Sequence, residues 1–170
     1  MSISDRQKDL GLELTRVLQT HGQALQRLCA AYMQEPSDRQ DLFQEIAMAL
    51  WTALPRFRGA ASERTWLYRI AHNVALTYSA KRRWRHRLEE SIDGPICDPV
   101  TQVDPRRLAL LESLQQLNPV DRQLMLLYLE GLSAREIEEV TGLTANNVGV
   151  RLTRLRRKLA STLKAKEVGK

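Results

Sequence analysis

The sequence predicts an all-α protein: two small helical domains joined by a flexible linker, the C-terminal one containing a helix-turn-helix. Three observations carry this. Apolar residues recur at helical spacing through most of the 170 residues, and no stretch makes a convincing strand. Residues 88–105, LEESIDGPICDPVTQVDP, have no periodicity and hold five acids, three prolines and a glycine, the composition of a linker. Near the C-terminus, two helix-start signals flank a single glycine turn.

Taken in order, a first amphipathic helix is expected over Asp5 to Ala31, with Leu10, Leu14, Val17, Leu18, Leu25 and Leu28 on its apolar side and Gly22 as the point where it could weaken or split. Pro36 and Ser37 break the chain, and Ser37 or Asp38 can cap the next helix. That helix, DRQDLFQEIAMALWTAL, sets Leu42, Ile46, Ala49 and Leu50 on one face and Asp38, Asp41 and Glu45 on another, and Pro55 ends it. RFRGAASER reads as a loop turning at Gly59, followed by a helix over Thr65 to Arg87. On that helix Leu67, Ile70, Val74 and most of Trp66 form the anchoring side, while Tyr68 and His72 share a face expected to be exposed. Helices resume over Pro105 to Leu117, and again from Asn118-Pro119 to a stop at Gly131.

The segment LSAREIEEVTGLTANNVGVRLTRLRRKL is the strongest local motif. Ser133 and Glu136 form a capping box, Ile137 and Val140 are the buried face, Gly142 takes the turn and Leu143 fills the gap between helices. Thr144 caps a second helix whose Val148, Leu152, Leu155 and Leu159 point inward. In a helix-turn-helix the second helix lies in the major groove and its first side chains reach base edges. Here those are Asn146 and Asn147, suited to the N6/N7 edge of adenine, followed by Arg151 and Arg154, able to reach guanine or phosphate.

Charge supports a polyanionic partner. The net charge is +6, but residues 64–88 and 140–166 contain no acid and together hold 14 of the 26 Lys and Arg. The remainder has 12 basic against 20 acidic residues, so an acidic body carries two separate cationic blocks, as if gripping a polyanion at two places. Other classes find no support. There is no apolar run long enough to cross a membrane, no signal peptide pattern, no Gly-rich phosphate loop and no nucleophile–base set, so neither membrane insertion nor an enzyme is expected. Cys29 and Cys97 have no metal-like spacing and read as reduced thiols, and His72 stands without a ligand set, so no metal or cofactor is expected.

The order of parts is informative. LNPVDRQLMLLYLEGLSAREIEEVTGLTANNVGVRLTRLRRKL resembles the C-terminal promoter-binding domain of bacterial sigma factors, and DRQDLFQEIAMALWTALPRFRG…RTWLYRIAHN resembles their other main domain. Together, in so short a chain, they resemble an extracytoplasmic-function (ECF) sigma factor over roughly residues 15–160. The resemblance implies a cytoplasmic, non-enzymatic subunit that binds core RNA polymerase, directs it to promoter DNA and starts strand separation, with an anti-sigma factor as a frequent further partner. It implies domains at 1–87 and 106–166 with the linker at 88–105 between them. Asp41, Gln44 and Glu45 match the polar positions that dock on the polymerase. Gly59, Ala60, Ala61 and Ser62 match the loop that takes an unstacked −10 base, with Arg69, His72, Asn73, Lys81, Arg82 and Arg83 as further −10 DNA contacts. Arg135, Thr144, Asn146, Asn147, Arg151 and Arg154 match the −35 contacts. The chain departs from many members at LTYSAKRR, which lacks an acid, and at Gly149, where Lys or Arg is common. An extended linker of this length spans at most roughly 55 Å, near the limit for two DNA patches one to two turns of ~35 Å apart. A stand-alone helix-turn-helix regulator is the competing reading. Transcription that depends on adding the protein to core polymerase separates the two.

Overall fold

The structure, a computed structural model, describes residues 3–89 and 104–168, with side chains from 7–85 and 104–164. Seven helices fill those residues: α1 (Ile3–Tyr32), α2 (Pro36–Ala53), α3 (Glu63–Glu89), α4 (Pro105–Gln115), α5 (Pro119–Leu129), α6 (Ala134–Thr141) and α7 (Ala145–Val168). A short 3-10 turn, Leu54–Arg56, follows α2. Among the described residues there is no strand, so the all-α expectation holds. The linker expected at 88–105, and Cys97 within it, lie largely outside the described residues.

Gly22 does not split α1, which runs through it as one helix. The cap of α2 differs from expectation. Pro36 occupies the first turn and Glu35 is the N-cap, in extended conformation and without a side-chain cap bond. Proline fixes the entry φ and lacks only a donor that has no helical partner there, so neither Ser37 nor Asp38 is needed as a cap.

α1, α2 and α3 run antiparallel in turn. Gly11, early in α1, lies against Trp51, late in α2. Asp38, early in α2, pairs with Arg82, late in α3, at 2.9 Å. Val17, Leu25 and Leu28 pack with Leu42, Ile46, Leu50 and Leu67, all buried as the periodicity required.

Helices α4 to α7 form the second group. Asn118 caps α5 by accepting from the Asp121 amide at 3.0 Å. Buried Arg122 donates to the carbonyls of Leu114, Gln115 and Leu117, satisfying the open C-terminal end of α4. The Ser133–Glu136 capping box forms as read, and Gly142 ends α6 in the left-handed region at φ 76°, where a Cβ would be strained. Ile137, Val140, Val148, Leu152, Leu155 and Leu159 are buried.

The two groups share one buried cluster. Glu130, at the end of α5, is the hub between them. Its carboxylate accepts from Arg27 Nε at 2.6 Å, Arg27 Nη2 at 2.7 Å and the Tyr68 hydroxyl at 3.2 Å, while its backbone carbonyl accepts from Arg64. Arg69 donates to the Glu139 carbonyl in α6, Gln115 donates to the Ala30 carbonyl at 3.0 Å, and the Arg122 guanidinium lies 5.4 Å from the centre of the Tyr32 ring.

Candidate nucleic-acid interface

The turn between α6 and α7 brings the second helix of the motif out of the body at its N-terminus. Thr144 Oγ1 accepts from the Asn147 amide at 3.4 Å, and the Glu138 carboxylate accepts from the Ala145 amide at 3.1 Å. Val148 is anchored beneath, so Asn146 and Asn147 are exposed at the tip, with Thr144 and Arg135 beside them, also exposed. Arg154 is exposed further along α7. Arg151 is half-buried and ion-paired with Asp121 at 3.2 Å, so its guanidinium is engaged within the chain rather than presented to a partner. Arg156, not singled out in the sequence, lies 5.3 Å from the centre of the Tyr128 ring, the distance of a cation–π contact.

The second cationic block lies on α3. The loop before it turns at Gly59, with φ 72° and open space around its α-carbon. Gly59, Ala60 and Ser62 are exposed and Ala61 is half-buried. Asn73, Lys81 and Arg83 are exposed, and Arg82 is tied to Asp38. A groove of about 410 Å³ runs between α2 and α3, lined by Glu45, Asn73, Val74, Thr77, Tyr78, Lys81 and Arg85. Trp84 stands 61% exposed among these cations. Asp41, Gln44 and Glu45 are exposed on α2, clear of its buried Leu42–Ile46–Leu50 face.

Two expectations for α3 fail. Tyr68 and His72, expected on an exposed face, are 3% and 1% exposed. His72 Nδ1 lies 3.1 Å from the Tyr32 hydroxyl, and its Nε2 is buried with no hydrogen-bond partner among the described residues. Burial pushes the imidazole pKa down to about 3, so the ring is neutral and does not reach DNA in this packing. The helical stripe beginning at Leu67 is wider than the sequence suggested, because α1 and Glu130 cover its flank. Trp66 is half-buried and its ring lies 4.7 Å from that of Phe57, in keeping with a scaffold role. Arg69 is exposed, but the Glu139 carbonyl holds its guanidinium. Cys29 is buried and free, and burial raises its thiol pKa to about 12, which leaves it inert. Among the described residues no group of His, Cys, Asp and Glu suits a metal, and no helix is long and apolar enough to cross a membrane.

Residues that sequence reasoning missed include Glu130 and the pair Arg16–Glu63. Glu130 joins Arg27 across 103 positions, and no local signal encodes a contact of that separation.

Comparison with known proteins agrees with this geometry. Residues 17–85 match the model of Sigma-70 region 2, and residues 107–159 match that of Sigma-70, region 4. The RNA polymerase sigma factor NccH of Alcaligenes xylosoxydans is 29% identical over 164 residues, covering 90% of this chain and 88% of NccH. The ECF RNA polymerase sigma factor SigG of Mycobacterium tuberculosis is 33% identical over 153 residues, covering 72% of this chain and 41% of SigG. Among solved structures, CnrH in complex with the cytosolic domain of CnrY superposes with a TM-score of 0.67 at 26% identity, over 89% of this chain and 88% of CnrH. The sigma factor RpoE bound to the anti-sigma factor NepR, from Bartonella quintana, gives 0.66 at 20% identity over 95% and 98% of the two chains, a likeness of fold alone. The two matched regions stand in the order and on the helices that carry the two cationic surfaces, and the chain belongs to the ECF sigma factors of bacterial RNA polymerase.

Proposed function

We propose that this sigma factor divides its work between residues 1–87, which bind core polymerase and read and open the −10 element, and residues 106–166, which read the −35 element, with 88–105 as the linker. The observation that carries the reading is the exposed tip of α7. There Asn146 and Asn147 stand clear of the body on a helix anchored by buried Val148, with exposed Arg154 behind them. Asparagine pairs with adenine edges in the major groove, and arginine neutralises phosphate or reads guanine. The exposed Asp41, Gln44 and Glu45 supply an acidic surface for a basic face of the polymerase. Gly59 to Ser62 take an unstacked base, and Asn73, Lys81 and Arg83 hold its strand, joined by Arg82 once it leaves Asp38. Arg69 joins them once it leaves Glu139, and Arg151 joins the −35 contacts once it leaves Asp121. In this reading the chemistry belongs to the polymerase, and the chain contributes no catalytic group. An anti-sigma factor, as NepR is for RpoE, is a natural controlling partner, since it would compete for the polymerase-facing surfaces.

The test is run-off transcription from a promoter library with core polymerase, with and without the protein. Transcripts that require the protein are expected. Duplex binding without core association would favour a stand-alone regulator instead. Replacing Asn146 and Asn147 with Ala should erase −35 preference while core binding persists, and loss of core binding in that variant would overturn the division of labour.

A further inference from the structure

The first residue of α3, Glu63, is gripped from α1. Arg16 presents both terminal nitrogens to it, Nη1 to Oε1 at 3.2 Å and Nη2 to Oε2 at 2.5 Å. His21 Nε2 lies 3.2 Å from the same Oε1. A two-pronged guanidinium–carboxylate contact fixes direction as well as distance, because both partners are planar forks. The Arg16 hydrogen bond holds the Glu63 carboxyl below the usual carboxylate range.

This grip stands at one end of the loop before α3. Ser62 is set by its hydroxyl, 2.8 Å from Thr65 Oγ1 and accepting from the Thr65 amide at 3.1 Å, and by its carbonyl, which accepts from the Trp66 amide at 3.0 Å. At the other end Phe57 lies against Trp66. Between these anchors, Gly59 and Ala60 are exposed, with open space at Gly59. The loop is thus free at its middle and fixed at its ends, and one fixing contact comes from a helix that bears none of the proposed DNA-reading residues.

We propose that Arg16 and His21 are positioning residues for promoter reading: by holding Glu63 they fix the exit of the Gly59–Ser62 loop and so set which unstacked base the loop accepts. The inference rests on the reading of that loop as a base-binding element. Neither residue needs to touch DNA. Arg16 spends its guanidinium on Glu63, and the Glu63 carboxylate repels phosphate from the same corner.

The experiment uses the full chain with core polymerase and promoters that differ in a single −10 base, scored by open-complex formation. Ala61→Ser, within the loop, identifies the position the loop reads. At that position, Arg16→Gln and Glu63→Gln should each lower discrimination between preferred and next-best base by about three- to fivefold, the scale of one well-oriented ion pair. Core affinity should stay unchanged and the thermal midpoint should fall by no more than about 4 °C, and the exchange Arg16→Glu with Glu63→Arg should restore most of the discrimination. If Ala61→Ser shifts a base preference and the Arg16 and Glu63 variants do not, the positioning role is overturned while the loop reading stands. If Ala61→Ser shifts no preference although the wild type supports transcription, the loop reading and this inference fall together. If Arg16→Gln weakens every promoter equally and lowers the salt slope by about one, Arg16 is a phosphate contact and the inference is wrong.

Discussion

His72 shows how far a single side chain can depart from the role its motif implies. The neutral ring sits beside Tyr32 and Tyr68, with pKa lowered by burial to about 3 against an ordinary value near 6.5. Above about pH 6.5 folded and unfolded chains both hold it neutral. Below that, the unfolded chain takes up a proton that the folded one refuses, so stability falls by about 1.4 kcal/mol per pH unit. Urea midpoints measured from pH 7 to pH 5 should therefore decline, corresponding to roughly 2 kcal/mol, and His72→Phe should remove most of the decline. The sequence could not reveal this burial. Spacing places Tyr68 and His72 on one side of α3, but not that α1 supplies Tyr32 and α5 supplies Glu130 to cover that side. Asn73, one position on, does emerge exposed as expected.

Helices were the most legible scale, because caps and periodicity are local. The Ser133–Glu136 box, the Gly142 turn and the buried stripe of α7 appear where the spacing required. The start of α2 did not, since a proline in the first turn competes with the two side chains that look like caps. Gly149 is the weak point of α7. It is helical and exposed, and an added Cβ there would meet nothing within 4 Å. Gly149→Ala should raise stability by roughly 0.5–1 kcal/mol, visible as a higher thermal midpoint, with little change in core affinity. Along the same helix, Arg154→Ala should weaken −35 binding about equally across salt-matched sequences if its contact is phosphate, and lower the salt slope by about one. Arg151→Ala should cost stability as well as affinity, because it also leaves Asp121 unpaired, and comparing melting with filter binding for the two variants checks the difference.

At the scale of the whole molecule, the two helical groups are packed against each other through contacts that include Arg69, one of the cations proposed to meet DNA. Both cationic blocks were visible as acid-free stretches of sequence, but their engagement within the chain was not, since every contact involved spans dozens of positions. Glu130→Gln should loosen this packing by weakening the Arg27 fork and the Tyr68 bond. Small-angle scattering should then report a larger radius of gyration than the wild type at equal ionic strength, and added salt should narrow the gap by opening the wild type. Arg64 and Arg69 add a different kind of tie, each ending on a backbone carbonyl, of Glu130 and of Glu139. Every amino acid carries that acceptor, so no substitution at position 139 deletes the one that holds Arg69. Drift on the acceptor side is therefore silent for this tie, and a lineage that needs a looser closed form must change the arginine. Under the proposed function Arg69 also meets promoter DNA, so selection for tighter packing and selection for stronger promoters would act on one codon.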